Sequence, residues 1–166
     1  MPNALRPRLV NLYIFLFTVT LLAIAMYMEH GMGLEPCPLC ITQRIFFLAA
    51  GLVALAAFAH GPAVRGRRVY GIGTALLSLA GAGFALRQLW LQSLPKDQVP
   101  SCGPSLSYMV EMFPLSEVLA TMLSGDGNCA EVSWVDPVFG LSIPWWTLFG
   151  FIGLAAVALW QAFRRV

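Results

Sequence analysis

The chain has 166 residues, of which 58% are hydrophobic and 11% are charged, and its formal net charge is +2. Because soluble domains carry about 25% charged residues, this composition excludes an ordinary soluble protein and makes lipid part of the solvent. The net charge says little by itself, and we expect no nucleic-acid partner. The length suits a single membrane domain, residues 1–166.

Four segments stay apolar over the length of about 20 residues that a helix needs to cross a bilayer. They run approximately over residues 9–28, 41–59, 69–91 and 143–163. We therefore predict an all-α integral membrane protein, built as a bundle of four transmembrane helices. The first segment contains the small-residue run Ala23-Ile24-Ala25, but it is longer than the core of a cleaved signal peptide, so we expect it to remain.

Basic and acidic residues lie on opposite sides of the predicted spans. The basic side holds seven of the ten Lys and Arg residues: Arg6, Arg8, Arg65, Arg67, Arg68, Arg164 and Arg165. The other side holds all eight acidic residues, from Glu29 to Asp136. The positive-inside rule makes the basic side cytoplasmic. Both termini are therefore predicted in the cytoplasm, with the loops at about 29–40 and 92–142 outside it.

The first outer loop ends in Cys37-Pro38-Leu39-Cys40, where the second span begins. Pro38 suits the first position of a helix, where its missing N–H is not needed, which places Cys37 near the N-cap and Cys40 in the first turn. Helix N-termini and C-x-x-C motifs favour the thiolate, and a bridge across two residues adds little loop entropy. We interpret the pair as redox-active, with an inert surface disulfide as the alternative.

Arg44 follows Cys40 by four residues, so the two side chains share one face of the predicted helix. It lies on the outer side, against the charge rule, and ionisable groups at membrane depth are functional candidates. We predict that Arg44 stabilises the Cys40 thiolate and donates hydrogen bonds to a carbonyl oxidant, for which a membrane quinone is the fitting class. The alternative is an anchor that reaches the lipid headgroups. Gln43 and Arg87 are further candidates.

The long outer loop has its own apolar pattern. Apolar residues repeat at helical spacing over residues 106–113 and again, after Pro114, over residues 115–122. This pattern predicts one or two short amphipathic helices. They would either lie on the outer leaflet of the lipid bilayer or cover the end of the bundle, and in both cases they would keep the loop near the membrane.

Cys102 and Cys129 lie in the same loop, with 26 residues between them and turn-forming Pro and Gly residues beside them. Four cysteines outside the cytoplasm predict disulfides. Taken alone, this pair is typical of a structural bridge, but two pairs on one membrane face can exchange by thiolate attack on a disulfide sulfur. Zinc is the other interpretation of four cysteines; the wide separation of the second pair argues against it, and we expect no metal.

Together these motifs make the chain resemble the DsbB family of bacterial disulfide bond formation proteins over nearly its whole length. The matching motifs are Glu35-Pro36-Cys37-Pro38-Leu39-Cys40, Gln43-Arg44, Cys102, Gly127-Asn128-Cys129-Ala130-Glu131, Trp134 and Gly140-Leu141-Ser142-Ile143-Pro144-Trp145. Some members carry a quinone-side histidine after the third span. The corresponding stretch here, residues 90–94, contains none, so that role is not carried over.

The resemblance implies a quinone-dependent thiol:disulfide oxidoreductase of the bacterial inner membrane, with its site facing the periplasm. A DsbA-like periplasmic thioredoxin-fold protein would be reoxidised by a Cys102–Cys129 disulfide, and Cys102 would receive the partner's cysteine. Cys37 would then attack Cys129. Cys40, beside Arg44, would pass the electrons to ubiquinone or, without oxygen, to menaquinone.

Two other functions are compatible with these motifs. A quinone-linked reductase of the vitamin K epoxide reductase type also combines four helices, a C-x-x-C motif and a loop cysteine pair. Its C-x-x-C lies late in the bundle, whereas Cys37 and Cys40 open the second span here. The non-enzymatic alternative is a membrane scaffold with two inert bridges, which would not reduce quinone in the presence of a dithiol partner.

Overall fold

The computed structural model describes residues 2–164, apart from the side chains of residues 2–6 and of Ser107. Its helices are α1 (Pro2–Met32), α2 (Pro38–His60), α3 (Val64–Gln92), α4 (Leu106–Met112), α5 (Leu115–Ser124) and α6 (Ile143–Phe163). A 3-10 helix, Gly127–Ala130, follows α5. Of the described helices, α1, α2, α3 and α6 are long and apolar enough to cross a membrane. The predicted all-α bundle of four spans is confirmed.

The long helices extend beyond the predicted spans. α1 continues to Met32 and α3 begins at Val64, so the connections at 33–37 and 61–63 are shorter than predicted. The apolar stretch marks only the part of a helix within the lipid core, and its backbone hydrogen bonds continue into the polar interface. Three of the predicted cytoplasmic arginines, Arg65, Arg67 and Arg68, therefore lie in the first turns of α3 instead of in a loop.

The bundle is held together around α3, which packs against both α2 and α6, while α1 packs on α2. At its centre the rings of Phe47 and Phe151 stack with centroids 3.8 Å apart. Gly81 on α3 makes room for this stack, because a Cβ there would overlap the ring of Phe151. Small residues at helix contacts let backbones approach closely, which is how membrane helices gain van der Waals contact.

The two ends of the bundle differ in charge. We call the end where α2 begins the cysteine end; Glu29 and Arg44 lie there. At the opposite end Arg67 donates to the backbone oxygen of Arg164 (3.0 Å), and Gln161 donates to Asn11 (3.0 Å). This arrangement matches the charge asymmetry of the sequence, although Arg165 and the side chain of Arg6 lie outside the described residues. Which end faces the periplasm stays a prediction.

The two amphipathic helices of the long loop are confirmed as α4 and α5, separated at Phe113-Pro114. α5 lies against α2: the hydroxyl of Thr42 donates to the backbone oxygen of Met122 (2.8 Å), and Val118 is buried. The opposite face of α5 exposes three leucines, Leu115, Leu119 and Leu123. One face of α5 thus covers the end of the bundle, and the other presents an apolar surface of the kind that lies on lipid.

Candidate functional site

The Cys37–Cys40 pair is built by the start of α2. Cys37 is the N-cap residue, with φ −70° and ψ 161°, and Pro38 occupies the first turn. The backbone N–H of Cys40 donates to the sulfur of Cys37 (3.4 Å), and the two sulfurs lie 2.8 Å apart. The helix start predicted from Pro38 is therefore confirmed, and it alone is enough to bring these two thiols together.

Cys129 reaches the same place from the long loop. It lies in the 3-10 helix, is fully buried, and packs with Leu39 and Leu91. Its thiol is hydrogen-bonded to that of Cys37. The contact joins one cysteine of each predicted pair, as exchange between the pairs requires.

Cys102 is exposed, and the structure holds it beside the 3-10 helix. The backbone N–H of Gly127 donates to the oxygen of Ser101 (3.2 Å), and the amide of Asn128 donates to the oxygen of Gly103 (3.0 Å). A Cβ at Gly127 would lie 3.0 Å from the sulfur of Cys102. The four cysteines are free thiols in this structure, with Cys102 open to solvent and Cys129 buried.

The pKa values of Cys37 and Cys129 are shifted in opposite directions. The Cys37 thiol donates to Cys129 and to Cys40 and is partly buried, so its pKa is raised well above the ordinary value. The Cys129 sulfur accepts the hydrogen bond from Cys37, which lowers the pKa of Cys129 although burial opposes this. The expected contact between Cys37 and Cys129 is present, and which of the two sulfurs attacks the other stays a prediction.

Gln88 is the functional candidate that the sequence interpretation missed. It lies on α3, is 4% exposed, and its amide nitrogen lies 3.2 Å from the sulfur of Cys40 and 3.3 Å from that of Cys37. Its amide oxygen accepts from the amide of Gln43 (2.8 Å), whose own oxygen accepts from the hydroxyl of Thr147 (2.7 Å). The signal available in the sequence was a polar residue inside an apolar span, which is costly unless it is partnered.

Arg44 contacts α1, and its predicted role toward a quinone stays a prediction. Its guanidinium forms an ion pair with Glu29 of α1 and donates to the backbone oxygen of Ala25 (3.3 Å). These contacts turn the side chain toward α1, because the carboxylate there is the nearest strong acceptor for it. Any influence of Arg44 on Cys40 therefore acts through its charge across space. Arg87 donates to the backbone oxygen of Ser124 (3.3 Å) and stacks over Trp90, which ties α3 to the loop.

A cavity of about 610 Å³ opens beside the cysteines at this end of the bundle. Its walls include Cys37, Cys40, Gln88, Glu29 and Trp134. The described wall includes Glu29 but does not include its partner Arg44. The volume lies in the range of about 300–1,000 Å³ that is usual for pockets binding small organic molecules.

Comparisons with known proteins agree with one another. The family described as Disulfide bond formation protein DsbB matches residues 7–161. A protein named Disulfide bond formation protein B from Stutzerimonas stutzeri (strain A1501) is 56% identical over 159 residues, which cover 96% of each chain. One of the same name from Marinobacter nauticus is 57% identical over 154 residues, 92% of this chain and 89% of that protein. Disulfide bond formation protein B 1 of Pseudomonas aeruginosa is 46% identical over 159 residues, 96% of each chain.

Proposed function

This chain belongs to the DsbB family of disulfide bond formation proteins, and on that premise we propose that it reoxidises a DsbA-like thioredoxin-fold protein and passes the electrons to a membrane quinone. The placement of the cysteines carries the proposal. Cys129 contacts Cys37 beside Cys40, while Cys102 is exposed. The sulfur of Cys102 is thus open to a soluble dithiol protein. The sulfurs of Cys129, Cys37 and Cys40 form a continuous series that ends in the first turn of α2.

The first half of the proposed reaction takes place at Cys102. A thiolate of the partner attacks the sulfur of Cys102 in the Cys102–Cys129 disulfide, and Cys129 leaves as a thiolate. The second thiolate of the partner attacks its own sulfur in the mixed disulfide and releases Cys102. The partner now holds a disulfide, and the loop pair holds its two electrons. The exposure of Cys102 makes it the accessible sulfur of the pair.

The second half takes place at the buried contact. The Cys129 thiolate attacks Cys37 in the Cys37–Cys40 disulfide, and Cys40 leaves as a thiolate. Backbone hydrogen bonds at Leu39 and Asp126 stabilise the Cys129 thiolate without needing the Cys37 thiol proton, which supports this direction, since the attacking species is the thiolate. Cys102 then attacks Cys129, which re-forms the loop disulfide and releases Cys37. The two electrons have moved to the Cys37–Cys40 dithiol at the head of α2.

The cavity beside Cys40 suits a quinone headgroup in size and chemistry. It combines the sulfur of Cys40 and the amide of Gln88 with the apolar side chains of Ile41 and Ile143. Ubiquinone, or menaquinone without oxygen, would supply a two-electron, two-proton acceptor there. Arg44 would contribute positive charge at the edge of the site, with guanidinium N–H groups beyond those used by Glu29 and Ala25.

The charge distribution supports a defined orientation in the bacterial inner membrane, with the cysteine end in the periplasm. A membrane-impermeant maleimide added to reduced, intact spheroplasts should then label Cys102, the exposed cysteine. Labelling of Cys102 only after the cytoplasmic face is opened would reverse the orientation and remove a periplasmic partner.

The experiment that tests the function measures quinone reduction. Purified protein in lipid nanodiscs is mixed with a reduced thioredoxin-fold dithiol protein, and the absorbance of ubiquinone or menaquinone is followed without oxygen. We expect turnover that requires both the partner and the four cysteines. A protein that binds both reactants and reduces no quinone would be a scaffold, and the proposal would fail.

A further inference from the structure

Two glutamines and a threonine form a buried polar chain behind the Cys37–Cys40 pair. The chain runs from Thr147 on α6 through Gln43 on α2 to Gln88 on α3, and it ends at the two sulfurs. Gln43 is 2% exposed and Gln88 is 4% exposed. Polar side chains at such depth in membrane helices cost free energy, so they persist where they serve a function.

The hydrogen bonds of this polar chain all donate in one direction, from Thr147 toward the sulfurs. The hydroxyl of Thr147 donates to Gln43, so the Gln43 amide group donates to the oxygen of Gln88. The oxygen of Gln88 is thereby occupied, and its amide group is left to donate to the sulfurs. A primary amide has two N–H donors, which matches the two acceptors, Cys37 at 3.3 Å and Cys40 at 3.2 Å.

The same side chains can also work in the opposite direction. The thiol of Cys40 is within reach of the Gln88 oxygen (3.7 Å), and the hydroxyl of Thr147 can donate instead to the backbone oxygen of Pro144 (2.9 Å). Rotating each amide by half a turn then lets Gln88 donate to Gln43 and Gln43 donate to Thr147. Each link of the chain again joins a donor to an acceptor, because an amide and a hydroxyl can each play both roles.

We propose that Thr147, Gln43 and Gln88 form a reversible hydrogen-bond relay that presents donors to the Cys37–Cys40 pair when it is ionised and an acceptor when it is protonated. Gln88 touches the reacting sulfurs, and Gln43 and Thr147 are positioning residues that act through it. The relay rests on one part of the proposed function, namely that the Cys37–Cys40 pair changes its protonation during turnover. It requires neither quinone nor the partner protein.

The test measures thiol reactivity with both reaction partners left out. In a Cys102→Ser, Cys129→Ser background, the reduced Cys37–Cys40 pair is alkylated with iodoacetamide at neutral pH and at a pH well above the ordinary range of thiols. Gln88→Leu should slow alkylation about tenfold at neutral pH, which corresponds to the loss of one hydrogen bond to a charged acceptor. At high pH the rates should converge, because every thiol is then ionised.

Gln161→Leu is the matched control. It removes a second buried glutamine, 5% exposed, that joins α6 to α1 at the opposite end of the bundle. We expect it to leave alkylation of the pair unchanged at both pH values. If Gln88→Leu and Gln161→Leu alter the neutral rate equally, the effect is general loosening of the bundle and the proposal fails.

Two variants of Thr147 distinguish the effect of its hydrogen bond from the effect of its packing, and Thr147 itself does not touch either sulfur. Thr147→Val keeps the shape and removes the hydroxyl, whereas Thr147→Ser keeps the hydroxyl and removes a methyl group. The relay predicts a slower neutral rate for Thr147→Val and a parental rate for Thr147→Ser. The opposite order would assign Thr147 to packing and overturn the relay, even if quinone reduction by the wild-type protein is established.

Discussion

The two cysteine pairs are built in different ways. Cys37 and Cys40 are close in sequence, and one turn at the start of α2 holds their sulfurs 2.8 Å apart. Cys102 and Cys129 come from two segments of the long loop, which are joined by hydrogen bonds such as those from Gly127 and Asn128. The first pair depends on local helix geometry, and the second depends on how a loop folds.

This difference indicates what each pair can do. The helix-start pair can open and close with little backbone movement, because both residues belong to one rigid turn. The loop pair is divided between environments: Cys102 is exposed, and Cys129 is fully buried against the bundle. A divided pair can meet a soluble protein on one side and the first pair on the other.

The largest expected effect tests whether the two cysteine pairs carry out separate steps of electron transfer. Each of the four Cys→Ser changes should abolish steady-state turnover, because exchange needs both members of a pair. Cys37→Ser and Cys40→Ser should still oxidise one equivalent of partner through the loop disulfide. Cys102→Ser and Cys129→Ser should leave the Cys37–Cys40 pair able to reduce quinone but unable to accept electrons from the partner.

Stopped-flow mixing with one equivalent of reduced partner, followed by acid quenching and thiol counting, distinguishes the two classes. If either loop variant kept full turnover, the loop bridge would be structural, and the loop pair would not be the one that reacts with the partner.

Arg44 tests whether only the helix-start pair meets the oxidant. Lys keeps the charge but loses the planar fork of donors, so Arg44→Lys should lose about 1.5–3 kcal/mol of a charge-assisted hydrogen bond. This corresponds to roughly ten- to a hundred-fold weaker apparent quinone affinity. The measurement is turnover at varied quinone concentration, with Arg44→Ala expected to be at least as impaired.

Arg87→Lys is the control for Arg44, since Arg87 lies at the same end of the bundle but contacts Ser124 and Trp90. We expect its quinone dependence to match that of wild type. An unchanged dependence in both Arg44 variants would make Arg44 an anchor held by Glu29 and would remove it from the oxidant site.

Gly127 tests the loop pair alone. A Cβ there would lie 2.9 Å from the nitrogen and 3.0 Å from the sulfur of Cys102, so Gly127→Ala must displace the Cys102 segment. Overpacking costs about 1 kcal/mol or more, and we expect the reaction with the partner to slow about fivefold. Reduction of quinone by the pre-reduced Cys37–Cys40 pair should be unaffected.

Gly83→Ala is the matched control for this change, because a Cβ at Gly83 meets nothing within 4 Å. Equal rates of partner oxidation in Gly127→Ala and Gly83→Ala would show that the position of Cys102 does not limit the reaction.

The smallest expected effect lies at the contact between the pairs. The hydrogen bond from Cys37 lowers the pKa of Cys129. Removing that donor favours the neutral thiol, so Cys37→Ala should raise the pKa of Cys129, whereas Cys37→Ser keeps a hydroxyl donor and should raise it less. The check is the pH dependence of Cys129 alkylation in a Cys40→Ser, Cys102→Ser background. Coinciding curves for the two variants would show that the hydrogen bond from Cys37 does not lower the pKa of Cys129.

Some of the site could be predicted because it depends on neighbours along the chain. Pro38 indicated the start of α2, and with it the positions of Cys37 and Cys40. The apolar pattern on either side of Pro114 indicated one or two short helices, and the structure has two. The part that was missed depends on other helices: Gln88 is distant in sequence from the sulfurs it touches, and Arg44 turns to Glu29 on α1.

The sequence by itself determined four apolar helices, the charge difference between their ends, and the geometry of the Cys37–Cys40 turn. These follow from composition and from backbone geometry, which is the same in every helix. Only the tertiary structure decided that Cys129 is buried against Cys37 and that Gln88 faces both sulfurs. Such contacts depend on the rotation and depth of each helix, which are set by the packing of side chains such as Phe151 against Gly81.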